Sequence, residues 1–363
     1  MGLLNLRCHS LMKLTPQSHI EKMAYEQRDH AHAVIKNVLL MSNIPTLSLQ
    51  LAMRELAQHS RVALHFHPDR IDNRGLTVVN GLLRDGIYKS QFETHVSNGL
   101  LSPELGGARD HFENQLFGDT YSGIKHRPKY GAVDFGLCPL GPAPRFGSCY
   151  LVTHPQILSR CTFSYLDSYR QAKEKGTIKC FDAVLAALLS ESFERQYALG
   201  ILGLKPSKLI EHFSQHLTDA ITTRFDTPPS GNLDHYIEAQ IHGDVSLDQD
   251  VAMLVADPSF MGSSIGDSLV ALCDEYAIEL HWHQGRQINV AQVPDDFRGA
   301  EMPVLAQSIA ENALINAEII GRAAYQLQKQ PASWSERGAN SKKLQDLKLL
   351  WHVLVKYGQS PVG

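Results

Sequence analysis

The chain has 363 residues, of which 43% are hydrophobic and 20% are charged, so it can bury a large core. Its formal net charge of −4 argues against a nucleic-acid-binding surface, and no run approaches the ~20 apolar residues that a membrane helix needs. The six cysteines form no Cys-x-x-Cys pair, which favours reduced thiols and a cytoplasmic location.

The first 60 residues are predicted to be helical. Thr15 and Pro16 have the character of a helix cap and first turn, and an apolar stripe of helical period continues over residues 20–38. A second helix is predicted from Thr46 to His59.

A strand that carries two histidines is predicted next, in VALHFHPDR at residues 62–70. Alternation puts the apolar side chains on one face and His65 and His67 on the other, and Pro68 ends the strand. Two imidazoles on one face can bind a ligand or begin a metal site, as in the amidohydrolases. Histidines that simply satisfy their hydrogen bonds near a strand end are the structural alternative.

Four blocks rich in glycine and polar residues follow. They are QFET at 91–94, SNG at 97–99, RPKYGA at 127–132 and RFGSCY at 145–150. Asn98 before Gly99 predicts a turn, and Arg109, Arg127 and Arg145 can make bidentate contacts to phosphate or carboxylate, although arginines are more often surface ion pairs. Together the blocks resemble a bacterial family of uncharacterised proteins, with the likeness covering about Leu64 to Phe260.

The most informative segment runs from Asp234 to Phe260 and predicts a strand, a turn and a returning strand. In the first strand Ile237, Ala239 and Ile241 share one face, and Glu238 and Gln240 share the other. Gly243 closes this strand, and the apolar run at 253–255 predicts the second. A solvated Glu238 on a half-buried strand is the plain alternative.

This Glu-x-Gln strand with a following short strand resembles the closing element of the ADP-ribosyltransferase superfamily. The resemblance implies an α+β fold, with a split β-sheet core at 61–262 between an N-terminal helical segment at 1–60 and a mainly helical extension at 263–363. It implies NAD as donor substrate and Glu238 as the carboxylate that stabilises an oxocarbenium-like transition state. The family usually has its essential glutamate at the second position of the pair, where this chain has Gln240.

The same resemblance implies roles for further residues. Tyr130 would stack on the nicotinamide, and His67 would be the third catalytic residue. The residues implied in binding NAD are His65, Arg70, Ser97, Asn98, Arg145 and Gln240. Thr162 and Ser164, on one face of a predicted strand, are similar to the Ser-Thr-Ser strand of one type of transferase. The acceptor stays open, whether a macromolecule or water.

The C-terminal region keeps two other hypotheses open. A strand is predicted at 277–283 and helices near 304–328 and 341–357, after two earlier helices at 181–199 and 206–223. The strand carries His281 and His283, which beside His65 and His67 would form a metal site for a hydrolase. The flanking helices also suit a binding protein without catalysis.

Overall fold

The computed structural model describes residues 14–96, 103–170, 172–227, 230–332, 334 and 340–361. Over these residues the chain is a mixed α and β protein. The helices are α1 (Pro16–Glu26), α2 (Arg28–Met41), α3 (Thr46–His59), α4 (Val78–Asp85), α5 (Gln91–Thr94), α6 (Ala108–Leu116), α7 (Asp182–Arg195), α8 (Pro206–Gln215), α9 (Leu247–Asp250), α10 (Ser264–Tyr276), α11 (Met302–Ile309), α12 (Ala317–Lys329) and α13 (Asn340–Tyr357). The strands are β1 (Arg61–Phe66), β2 (Lys129–Asp134), β3 (Cys149–Thr153), β4 (Cys161–Tyr165), β5 (Lys175–Gly176), β6 (Tyr197–Ala198), β7 (Ile201–Leu202), β8 (Ile237–Ile241), β9 (Val251–Ala256), β10 (Glu279–Trp282), β11 (Gln287–Asn289) and β12 (Leu314–Asn316).

Eight strands form one sheet in the order β10-β9-β3-β1-β2-β8-β4-β5. Every neighbouring pair is antiparallel except β10 and β9, which are parallel. The three strands β1, β2 and β8 are neighbours near its centre, and Ala132 of β2 lies opposite both Ala63 of β1 and Glu238 of β8. Side chains from residues far apart in sequence therefore lie side by side on one face.

The predicted hairpin between the Glu238 strand and its returning strand is wrong. Both strands exist, but β2, β1 and β3 lie between β8 and β9 in the sheet, and β9 pairs with β3 and β10. The connection contains the short helix α9, whose Leu247 is fully buried in the core. Burial of this leucine ties the connection to the core, so the chain does not fold back in a tight turn.

One face of the sheet builds the main hydrophobic core. Val62, Leu64 and Phe66 of β1 pack there with the alternate apolar residues of β8. Helices cover this face, with α2 packed on α7 and α3 packed on α8. The same cluster extends from Ala31 to Val355, so residues of all three predicted segments contribute to it. The division into three segments stays a prediction.

The last helix joins the same hydrophobic cluster through Leu347, Leu350 and Leu354. Helix α13 packs on α12, on α11 and on the 3-10 turn Pro144–Phe146. The indole Nε1 of Trp351 donates a 2.8 Å hydrogen bond to the carbonyl of Pro144, which fixes the helix to that turn. None of the helices in the described part of the chain is both long and apolar enough to span a membrane.

The single helix predicted near 304–328 is two helices. Helix α11 ends at Ile309, and Asn312 and Ala313 then adopt left-handed backbone angles, with φ of 49° and 60°. Strand β12 follows and pairs with β11 before the Asn316 side chain caps α12 by accepting from the Ile319 amide at 2.9 Å. The apolar period continues through this break, which explains the prediction.

Candidate functional site

A cavity of about 380 Å³ opens beside strands β1, β2 and β8. Its size falls in the usual range for small-molecule sites. The proposed catalytic residues His67, Tyr130 and Glu238 all line it. So do three of the residues implied in NAD binding: His65, Arg70 and Arg145. Ser97 and Asn98 lie outside the described residues, and Gln240 is not among the described residues that line the cavity.

Strand register explains this convergence. Ala63, Ala132 and Glu238 lie in one row across β1, β2 and β8. His65 and His67 follow Ala63 by two and four residues, and Tyr130 precedes Ala132 by two, so period-two alternation directs all of them to the same face.

Glu238 is buried, with 6% of its surface exposed, so the alternative of a solvated residue is wrong. Burial raises the pKa of its carboxyl to about 7, and nearby Asp167 adds to the rise. Hydrogen bonds from Ser168 and Gln240 and the charge of Arg109 act in the opposite direction. A carboxyl with this pKa changes charge close to neutral pH, which is typical of functional sites.

A chain of buried hydrogen bonds connects Glu238 with Tyr121. Gln240 Nε2 donates to Glu238 Oε1 at 2.7 Å, and Thr162 Oγ1 donates to Gln240 Oε1 at 2.7 Å. The single hydroxyl hydrogen of Thr162 is used in that bond, so Thr162 accepts from His242 Nε2 at 3.0 Å. His242 Nδ1 then accepts from the Tyr121 hydroxyl at 2.7 Å. Gln240 therefore fixes the orientation of the Glu238 carboxylate.

Burial keeps that chain in one arrangement. It lowers the pKa of His242 to about 3, so the imidazole is neutral and has one N–H to donate. Gln240 is 1% exposed and Thr162 is fully buried. Gln240 Nε2 also donates to Ser164 Oγ at 3.3 Å, so the Gln240 amide is held on several sides.

Tyr130 is fixed by helix α6. Its hydroxyl donates to Glu113 Oε1 at 3.0 Å, and the Arg109 guanidinium lies 4.5 Å above its ring. Arg109 Nε also donates to Glu113, at 3.1 Å, and Arg127 contacts both Glu113 and Asp110. One face of the Tyr130 ring is thus covered by Arg109.

Arg109 and Arg127 both have partners within the protein. Arg127 is fully buried, and its Nε donates to the Ile124 carbonyl at 2.6 Å. Burial raises the pKa of Glu113, while Arg109 and Arg127 oppose the rise. The i, i+4 spacing of Arg109 and Glu113 on a short helix is the sequence signal for this pair. The sequence predicts a phosphate or carboxylate contact or a surface ion pair for Arg109, and in the structure Arg109 is buried beside the Glu113 carboxylate.

His65, in β1, and His67, directly after it, differ in their hydrogen bonds. His65 Nε2 accepts from the Ala143 amide at 3.2 Å, and its Nδ1 lies 3.4 Å from the Gly147 carbonyl, so both nitrogens hold the 143–147 loop. Burial lowers the pKa of His65 to about 4 and that of His67 well below its usual value. His67 packs edge-on against Trp351 with ring centres 5.3 Å apart. Its neutral ring nitrogens have no hydrogen-bond partner among the described residues.

The four histidines do not form a metal site. Within the described ranges, no group of three or more His, Cys, Asp or Glu side chains is arranged to hold a metal ion. His281 contacts Glu279 at 2.8 Å. His283 Nε2 donates to the Ser148 carbonyl at 3.1 Å, and its Nδ1 accepts from the Gly285 amide at 2.9 Å. The ring nitrogens of His283 are therefore engaged with backbone groups.

No curated protein matches the sequence of this chain. One family model, described as "Protein of unknown function (DUF3626)", matches residues 61–357. The match contains all four sequence blocks from 91 to 150, and it extends past the expected end at Phe260 to include α13. The chain therefore belongs to the DUF3626 family.

Proposed function

We propose that this protein is an NAD-dependent ADP-ribosyltransferase that transfers ADP-ribose to an acceptor molecule or to water. One observation carries the proposal: His67, which directly follows β1, lines a single cavity with Tyr130 and Glu238 of the neighbouring strands β2 and β8. An imidazole, an aromatic ring and a buried carboxylate are the three groups that the transferase resemblance requires together. We infer from the same strand arrangement that the core is ADP-ribosyltransferase-like.

The carboxylate would act on charge that develops during the reaction. The bond between nicotinamide and ribose breaks with its electron pair leaving on the nicotinamide nitrogen, so positive charge builds on the ribose. A lone pair of the acceptor then forms the new bond to the ribose carbon that the nicotinamide has left, and the acceptor loses its proton. Ionised Glu238, held by Gln240, is oriented before the charge appears, so it costs little reorganisation.

Tyr130 and His67 would bind the substrate. Since Arg109 covers one face of the Tyr130 ring, the nicotinamide would stack on the other face. His67 is neutral because its pKa lies well below the usual value, so it can both donate to and accept from ribose hydroxyls.

The test is release of nicotinamide from NAD by the full chain, measured by chromatography with water alone and with a cell lysate as acceptor. We expect release that is lost in Glu238→Gln and kept in Glu279→Gln, a control on an exposed glutamate. Calorimetry of NAD binding completes the test. A wild-type protein that neither binds NAD nor releases nicotinamide would contradict the proposal.

A further inference from the structure

One end of the cavity is lined by cations from distant parts of the chain. Arg70 follows β1, Arg145 lies in the 3-10 turn Pro144–Phe146, Arg170 follows β4 and Lys348 lies on α13. Like charges repel one another, so a cluster of cations is electrostatically unfavourable unless an anion lies beside it.

The three arginines of this group outnumber the carboxylate that they pair with. Asp234 is shared between Arg145, which it contacts closely, and Arg170 at 3.5 Å. Arg70 forms no ion pair with a carboxylate of the described residues, and the neighbouring Asp69 is itself without a hydrogen bond to either oxygen in that part of the chain. Elsewhere in the cavity the charges do match, since Arg74 pairs with Asp72 and Asp85 at 2.6 Å each.

The titratable groups beside these cations respond to a positive field. The pKa of Lys348 is lowered to about 8 by burial and then by Arg145, Arg70 and Arg298, while Asp167 acts in the opposite direction. His67 is affected in the same direction by burial, then by Arg70 and Lys348. His67, directly after β1, and Lys348, on α13, thus both lie within the electrostatic reach of Arg70.

We propose that Arg70, Arg145 and Lys348 form a subsite for a diphosphate group, with Lys348 as its contribution from the C-terminal helix. Guanidinium groups bind phosphate oxygens in pairs and an ammonium adds a compact charge, so three such groups suit an anion with several oxygens. The inference rests on the proposed function in one respect: NAD is the diphosphate-containing ligand that the rest of the cavity would hold. Free inorganic diphosphate has the same chemistry.

Binding of pyrophosphate and of fragments of NAD shows which part of the ligand the subsite recognises. Calorimetry of the full chain would compare inorganic pyrophosphate, ADP-ribose, nicotinamide mononucleotide and nicotinamide riboside. We expect pyrophosphate and ADP-ribose to compete for one site, with ADP-ribose binding more tightly because it fills more of the cavity. Nicotinamide riboside, which has no phosphate, should be the weakest ligand. Pyrophosphate that binds more tightly than ADP-ribose would instead identify free diphosphate as the ligand and overturn the dinucleotide assignment.

The variant that tests the subsite is Lys348→Met, with Lys342→Met as its control on an exposed position of the same helix. We expect Lys348→Met and Arg70→Met each to weaken pyrophosphate binding by about tenfold or more, as for loss of one charged hydrogen bond. Lys342→Met should bind as wild type does. Should Lys348→Met lower the melting temperature, Lys348→Arg, which keeps the charge, is expected to restore binding.

The subsite and the transferase can fail separately. Pyrophosphate binding that depends on Lys348, in a protein that releases no nicotinamide from NAD, would keep the subsite and reject the transferase. Nicotinamide release by Lys348→Met with unchanged KM for NAD would keep the transferase and reject the subsite. Equal pyrophosphate affinity in wild type and Lys348→Met also rejects it.

Discussion

Gln240 Nε2 donates a 2.7 Å hydrogen bond to Glu238 Oε1 from two positions further along the same strand. Both side chains are buried, and Thr162 holds the other end of the Gln240 amide. The carboxylate therefore has one fixed orientation beside the cavity. This pair is the part of the candidate site that mutation can test most directly.

Replacing Glu238 by Gln should lower the turnover of NAD by a factor of about 10² to 10³, the usual loss for one preorganised electrostatic group. NAD affinity and the melting temperature should change little, because the amide has the same shape and the carboxylate acts mainly in the transition state. Steady-state kinetics, calorimetry and thermal melts measure the three effects. Unfolding of Glu238→Gln would make the residue a structural one, and unchanged turnover would assign the chemistry to another acid.

Turnover should rise with pH through about 7, since burial raises the pKa of Glu238 to that value and the ionised form is required. The hydrogen bond from Gln240 favours the ionised form, so Gln240→Leu should move this midpoint to higher pH. Thr162→Val, which leaves the Gln240 amide in place, should cause a smaller shift. A pH–rate profile with the same midpoint in Gln240→Leu would show that the amide does not act on Glu238.

Activity should persist after chelation with EDTA, because stabilisation of an oxocarbenium-like state by a carboxylate needs no metal ion. The measurement is nicotinamide release before and after dialysis against the chelator. Activity that disappears and returns with zinc would instead favour a metal-dependent hydrolase.

Asp69→Asn should stabilise the fold at neutral pH. Burial raises the pKa of the Asp69 carboxyl from 3.8 to about 6, so its contribution to stability is present below pH 3.8 and is lost as the pH rises to about 6. This rise in pKa lowers the free energy of unfolding by an amount on the order of 3 kcal/mol above pH 6. Urea unfolding of wild type and variant at pH 4 and pH 7.5 measures it. A variant with no larger advantage at pH 7.5 than at pH 4 would contradict the assignment.

Gly321→Ala should destabilise the protein, although glycine to alanine inside a helix normally stabilises it by up to about 1 kcal/mol. A Cβ at Gly321 of α12 would lie 1.3 Å from Asp69 Oδ2, so the carboxylate would have to move. Asp69→Ala removes that obstacle, and the double variant should recover the loss. Denaturant midpoints for the four proteins of this cycle give the coupling. Additive effects would mean that the two residues do not meet.

Local patterns predicted the strands of the site correctly. Alternation in β1 and β8 assigned the apolar faces, and helix α3 has the predicted bounds, because these features depend on neighbours in sequence. The pairing of β9 with β3 depends on which long-range contacts bury most apolar surface, and no local pattern encodes it. Strand alternation likewise put Gln240 on the face of Glu238, but its bond to Thr162, 78 residues away, was not predictable.

The C-terminal helix α13 determines when the cavity is completed during synthesis. Most of its wall is encoded by residues 65–238, yet Lys348 lines it and Trp351 of the same helix packs against His67. Domains fold from the N-terminus during synthesis, so the strands can assemble on the ribosome long before α13 has emerged. A nascent chain therefore carries an unfinished cavity. Any chemistry that needs this wall begins only when translation of the whole helix is complete.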